Sequence, residues 1–285
     1  MMPRLGVLGW PVAHSRSPAI HNAALAELGL GDWRYQRLPV PPALFTETVR
    51  ALRHSGFVGA NATIPHKQAA LAVADEASAA AAAIGAANTL SLRTDGTIAA
   101  ENTDAPGLIA ALGCSPRGAR ALVLGAGGAA RAAVWALREA GAGEVSVWNR
   151  TPARAEALAQ DLGARAVRSP APADLLINCT AVGLRRLRPE PGEAVGIEPS
   201  AIEIEELNQL GLSFELVGKF AYVVDLVYRP GSTARLEAAR RHGRRTLDGL
   251  EVLVAQGALS FELWTGRPAP LEVMRRAGRR ENACP

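Results

Sequence analysis

Apolar residues fall along this chain in short runs, separated by longer stretches in which they recur every three or four positions. Leu5 to Leu8, Tyr35 to Leu38 and Phe57 to Thr63 are strand-like, and between them Pro18 to Leu28 and Pro42 to His54 have helical spacing. This alternation predicts a small α/β domain over roughly the first hundred residues. A second alternation starts at Arg120, with a strand to Leu124, a helix from Ala129 to Ala140 ended by Gly141, and a strand from Glu144 to Trp148. That is a βαβ unit. Further on, Ile202 to Leu210 predicts a short helix, Phe214 to Val217 a short strand, and Asp248 to Thr265 a final helix.

The first turn of the βαβ unit reads Gly125-Ala126-Gly127-Gly128-Ala129-Ala130. Glycines there let the backbone turn tightly and approach a pyrophosphate, while the helix N-terminus offers free N–H groups and a positive dipole end. A Gly-rich turn is a weak signal alone and a strong one between a strand and a helix. An NAD site places Asp or Glu about 20 residues beyond such a loop. This chain has Asn149-Arg150-Thr151 there, with Arg154 one helical step on. Two guanidiniums and a hydroxyl suit a 2′-phosphate that an acid would repel, so NADP(H) is favoured.

Composition narrows the remaining chemistry. At 285 residues the chain can hold one large or two medium domains, and its net charge of +4 comes from scattered Arg with no aromatic-interleaved basic stripe. Nucleic acid is thus not an expected partner. Cys114, Cys179 and Cys284 are widely spaced and odd in number, so neither a disulfide framework nor a metal site is expected, and a cytoplasmic setting fits. No secretory leader or membrane-spanning run is recognisable. Of 31 basic residues only Lys67 and Lys219 are Lys. An amine can exchange a proton where a guanidinium cannot, and Lys67 follows the polar stretch Gly59 to His66, in which Pro65 would stop a strand. Lys67 is therefore a candidate proton-transfer residue.

Four polar clusters precede the dinucleotide turn: Gly9 to Pro18, Asn61 to Lys67, Gly85 to Thr89, and Glu101 to Asp104. Their hydroxyls, carboxamides, ammonium and carboxylate suit a small polyhydroxylated acid. Taken singly, Ser17 before Pro18 could be a helix cap and Asn88 a turn residue.

With these clusters, the runs Asn178 to Gly183, Asp225 to Pro230 and Gln256 to Glu262 make the chain resemble the shikimate dehydrogenase family over most of residues 5 to 265. The resemblance implies reversible NADPH-dependent reduction of 3-dehydroshikimate to shikimate, with Lys67 and Asp104 as the catalytic pair. It implies that Ser15, Ser17, Thr63, Lys67, Asn88, Asp104, Tyr228 and Gln256 line the shikimate pocket, with Leu226 and Gly249 near the nicotinamide. Departures are Ala62 where Val is frequent, and Glu101 and Ala105-Pro106 around Asp104.

The expected architecture is α/β: a Rossmann-type NADP-binding domain at 106–246, a smaller discontinuous substrate domain at 1–105 and 247–285, and a cleft between them. Residues 189–222 look inserted, because they hold seven Glu, three of the nine Ile and no Arg. The segment would be a tolerated surface excursion or, in a sharper reading, a lid or contact surface near the cofactor. A broader quinate/shikimate dehydrogenase, a methylene-tetrahydrofolate dehydrogenase relative and a ligand-binding sensor remain alternatives, and monomer and homodimer both fit.

Overall fold

The structure is a computed structural model and describes residues 2–184 and 199–280. It divides into two compact units, Met1–Ala110 with Val252–Pro285, and Ala111–Glu251.

The first unit contains β1 (Arg4–Gly9), α1 (Ser17–Glu27), β2 (Arg34–Pro39), α2 (Phe45–Leu52), β3 (Phe57–Ala62), α3 (Lys67–Val73), β4 (Glu76–Ala77), α4 (Ala79–Ile84), β5 (Thr89–Leu92), β6 (Ile98–Glu101) and the start of α5 (Asp104–Leu112). Its sheet runs β2-β1-β3-β5-β6-β4. β1 is parallel to β2 and β3, whereas β3–β5 and β5–β6 are antiparallel. β1 is buried at every position but its first, as a central strand covered on both faces must be, while the edge strand β2 is largely open. Leu8, Phe45, Val49, Phe57 and Leu90 form the core on one side. Leu5, Val7 and Tyr35, with Trp264, form it on the other.

The second unit contains β7 (Arg120–Leu124), α6 (Gly128–Glu139), β8 (Glu144–Trp148), α7 (Pro152–Leu162), β9 (Arg165–Ala166), β10 (Leu175–Asn178), α8 (Ala201–Asn208), α9 (Phe214–Val217), β11 (Tyr222–Asp225), α10 (Ala234–Arg241) and β12 (Arg245–Leu247). Its six strands lie in the order β12-β11-β10-β7-β8-β9, and all pairs are parallel. The chain winds outward from β7 to β9, then returns to β10 and winds the other way. That reversal between β7 and β10 is the switch point at which doubly wound sheets bind ligands. The chain then enters α11 (Gly249–Thr265), which is followed by α12 (Leu271–Arg279). Asp248 caps α11 by accepting from the Leu250 and Glu251 N–H groups at 3.0 and 3.3 Å.

Two expectations for 189–222 need correction. Phe214–Val217 is a single helical turn, because Ser213 accepts from the Leu216 N–H and starts a helix where three apolar residues around Glu215 leave the pattern ambiguous. Residues 199–222 are also no surface excursion: Leu207, Leu210, Leu212, Val217 and Phe220 are buried with Leu122, Leu176 and Val223 of the sheet. Residues 189–198 lie outside the described residues.

Candidate active site

Sheet topology collects the polar clusters of the first unit. The loop holding Ser15 and Ser17 follows β1, and Thr63 to Lys67 follows its parallel neighbour β3, with Leu8 opposite Ala62. β5 is antiparallel to β3 with Thr89 opposite Asn61, and Glu101 of β6 is opposite Thr89. The end of β1, the end of β3, the start of β5 and the end of β6 therefore share one edge of the sheet.

Lys67 is the first residue of α3, after a turn closed by the His66 N–H on the Thr63 carbonyl at 2.7 Å. The buried His66 ring stacks on Phe45 at 4.4 Å and places Nε2 2.8 Å from the Val40 carbonyl. Burial lowers its pKa. Asp104 opens α5, where the Ala105 N–H donates to Asn102 Oδ1 at 3.1 Å. Lys67 Nζ and Asp104 Oδ2 are 2.6 Å apart, with side chains 14% and 18% exposed, so the pair is sheltered yet reachable. Glu101, one of the departures noted, accepts from Ser78 Oγ at 2.6 Å and from the Asn102 N–H at 2.8 Å, and so supports the same turn.

Asn88 holds the carboxylate from the other side. Its Oδ1 accepts from the Thr103 N–H at 2.7 Å, and since a backbone N–H can only donate, this fixes the amide orientation. Nδ2 then faces Asp104 Oδ1 at 3.0 Å and Gln256 Oε1 at 3.0 Å. Gln256 in turn donates to the Leu253 carbonyl within α11 at 2.8 Å. Lys67, Asn88, Asp104 and Gln256 are thus one connected set. Ser15 and Ser17 are buried nearer the end of β1, with Arg37 clamping the Ser15 carbonyl at 3.0 and 2.7 Å. Ser17 is the first residue of α1 and Arg16 holds the N-cap position, so Ser17 is not the helix cap that its place before Pro18 allows. Tyr228, Leu226 and Gly249 belong to the second unit, after β11, and Gly249 packs directly on the Leu226 backbone.

Behind this set lies a buried polar layer that the sequence reading does not single out. Ser260 Oγ lies 2.8 Å from Thr89 Oγ1 and 3.1 Å from Thr103 Oγ1, and it accepts from Asn61 Nδ2 at 3.0 Å. Tyr35 donates to Asn61 Oδ1 at 2.7 Å. The available signal is helical spacing: Ser260 is four residues beyond Gln256 and shares its face of α11.

In the second unit the glycine turn follows β7, and the Gly125 N–H donates to the Trp148 carbonyl at 2.8 Å. Gly125 has φ +109°, and a Cβ there would meet the Cys179 carbonyl and Thr180 at 3.3 Å, so only glycine suits this turn across the switch point. Ala126 follows; Gly127 caps α6 with no side chain and nothing within 4 Å of a Cβ position, and Gly128 and Ala129 begin the helix. This open cradle at a helix N-terminus fits a pyrophosphate. Asn149, Arg150 and Thr151 follow β8, whose Trp148 pairs with Leu124, and Arg154 lies in the first turn of α7. Asn149 Nδ2 donates to the Thr151 carbonyl at 2.9 Å, while Arg150, Thr151 and Arg154 are exposed. Among the described residues no group of three acids, His or Cys could hold a metal ion. No described helix is long and apolar enough to cross a membrane.

The chain is similar to known proteins along nearly its whole length. Residues 7–90 match the shikimate dehydrogenase substrate binding domain, residues 110–180 the shikimate / quinate 5-dehydrogenase family, and residues 249–277 the shikimate 5′-dehydrogenase C-terminal domain. A shikimate dehydrogenase (NADP+) of Methylobacterium radiotolerans is 46% identical over 94% of this chain and 93% of its own. One from Thermus thermophilus is 45% identical over 98% of both chains. A crystal structure of shikimate 5-dehydrogenase from the same species, in complex with NADP(H) and shikimate, is similar with a TM-score of 0.83 at 43% identity, covering 98% of this chain and 99% of that one.

Proposed function

The chain belongs to the shikimate dehydrogenase family, and on that premise we propose that Lys67 and Asp104 are its catalytic pair. It is an NADP-dependent oxidoreductase that interconverts 3-dehydroshikimate and shikimate, a step toward aromatic amino acids. The observation that carries the assignment of the pair is the 2.6 Å contact between Lys67 Nζ and Asp104 Oδ2, braced by Asn88.

Bound NADPH supplies a hydride to the substrate carbonyl carbon, and negative charge then grows on the carbonyl oxygen. The Lys67 ammonium stabilises that oxygen and gives it a proton. Asp104 orients the ammonium and accepts from a neighbouring substrate hydroxyl. Lys67 regains its proton from solvent through its partly exposed side chain. In oxidation the steps run in reverse, and the Lys67 amine takes the proton from the substrate hydroxyl. Ser15 and Ser17 bind the substrate carboxylate, and Thr63, Asn88, Tyr228 and Gln256 its hydroxyls. The turn from Gly125 to Ala129 holds the pyrophosphate, Asn149, Arg150, Thr151 and Arg154 the ribose phosphate, and Leu226 and Gly249 border the nicotinamide. The unit Met1–Ala110 with Val252–Pro285 is the substrate domain and Ala111–Glu251 the NADP domain. The thiols Cys114 and Cys179 suit a reducing cytoplasm.

The reading is tested by following NADPH absorbance with shikimate and NADP⁺, with quinate and NAD⁺ in parallel. Reduction confined to shikimate with NADP⁺ supports it. Comparable rates with quinate favour the broader specificity named in the description of the family matched at 110–180.

A further inference from the structure

The proposed chemistry leaves unused a buried set of ion pairs at the carboxyl ends of β10 and β11. Arg235 of α10 is fully buried with Nε 2.6 Å from Asp225 Oδ2, and Thr233 Oγ1 and Asn178 Nδ2 donate to the same carboxylate at 2.6 and 2.8 Å. Beside it lies Glu206 of α8, only 2% exposed. Its Oε1 is 2.6 Å from Arg229 Nη1, while Oε2 accepts from Arg229 Nη2 at 3.4 Å and from the Ala234 N–H at 3.2 Å. Arg229 also donates to the Gly183 carbonyl at 2.8 Å, and to the Ser232 carbonyl at 3.1 and 2.8 Å. Gly183 has φ +85°, and a Cβ on it would come within 3.2 Å of Glu206 Oε2 and 2.9 Å of Arg235 Nη2. One carboxylate from the segment between β10 and β11 thus ties together the turn after β10, the loop after β11 and the start of α10.

Taking two charges out of water costs about as much as their attraction returns, so such a pair is a poor source of stability compared with apolar packing. Its contribution is a defined geometry. The two tied loops close the end of the sheet outside which a doubly wound fold holds its dinucleotide, and Arg229 directly follows Tyr228. We propose that Glu206 is a positioning residue for the dehydrogenase reaction, acting through Arg229 to fix the Ala181–Gly183 turn and the Leu226–Tyr228 loop. This rests on the functional reading above. It also gives the acidic segment, through α8, a role as an internal brace for the cofactor end of the sheet.

The test compares wild type with Glu206→Ala, Glu206→Gln, Glu206→Asp, Arg229→Ala and the Glu206→Ala/Arg229→Ala double variant. Initial rates are measured over grids of NADP⁺ and shikimate, at a temperature where circular dichroism shows each protein folded. Glu206→Ala should lower kcat at least about tenfold and raise KM for NADP⁺ about fivefold, with Glu206→Asp recovering part of the loss. The double variant should be no worse than Glu206→Ala, because the two residues act as one unit. Variants that melt earlier but keep kcat and both KM values within about twofold of wild type would overturn the proposal, leaving a purely structural pair. If Glu206→Ala does not fold, the near-isosteric Glu206→Gln decides by the same criteria. An active wild type with unaffected variants refutes this proposal alone, whereas a wild type that cannot reduce NADP⁺ with shikimate refutes the functional reading as well.

Discussion

Asn88 Nδ2 donates to Asp104 Oδ1 at 3.0 Å while Lys67 Nζ sits 2.6 Å from Asp104 Oδ2, so both oxygens of one carboxylate are committed to donors from two other elements. That arrangement requires a carboxylate. In Asp104→Asn, an amide nitrogen must face either the Lys67 ammonium or the Asn88 amide, donor against donor. We expect kcat to fall about a hundredfold or more in Asp104→Asn, with melting temperature changed by only a few degrees. Steady-state rates and thermal melts of the same preparation check both.

The dinucleotide edge is tested through its charges. Arg150 and Arg154 are exposed beside the end of β8 and available to a phosphate. Removing one charge-assisted contact costs about 1.5–3 kcal/mol when it is well formed, which is about a ten- to hundredfold rise in KM for NADP⁺. Arg150→Ala and Arg154→Ala should show such rises at low salt, smaller ones at high salt, and little change with NAD⁺. Rate measurements with both nucleotides at two ionic strengths distinguish this from general damage.

His21 predicts an acid sensitivity distant from catalysis. Its ring is fully buried, stacked on Tyr35 at 4.2 Å with no hydrogen-bond partner at either nitrogen, and burial lowers its pKa from 6.5 to about 3. The unfolded chain binds a proton to this imidazole between those values and the folded one does not. Stability from this group is therefore intact above pH 6.5 and is lost as pH falls toward 3, at about 1.4 kcal/mol per pH unit. His21→Phe keeps an aromatic ring on Tyr35 but cannot titrate. Between pH 7 and pH 5 it should lose about 2 kcal/mol less stability than wild type, as read by urea titration.

Legibility in the sequence followed the range of the interactions. The turn at Gly125 and the arginines after β8 were readable because a local motif, strand then glycines then helix, encodes them. Lys67 stands out because only two lysines occur among 31 basic residues, whereas the role of Asp104 follows only from the family resemblance. The brace behind them was not readable: Asn61 meets Ser260 across 199 residues of chain, and only strand pairing and the return of α11 bring them together. Glu206 was hidden for a different reason. In an acidic segment a glutamate reads as solvated surface, and only the packing of Leu207, Leu210 and Leu212 into the core takes Glu206 inside with them. Phe214–Val217 shows the limit of pattern alone, since three apolar residues around Glu215 fit a strand or one helical turn and the Ser213 cap decides between them.

The most direct test of the central claim is the steady-state kinetics of Lys67→Ala in shikimate oxidation with NADP⁺. General acid–base catalysis by a positioned side chain contributes about 10²- to 10⁴-fold, so kcat should collapse by a factor in that range while KM for shikimate changes only a few-fold. A variant that keeps its kcat and loses only affinity would contradict the account and leave Lys67 as a binding residue.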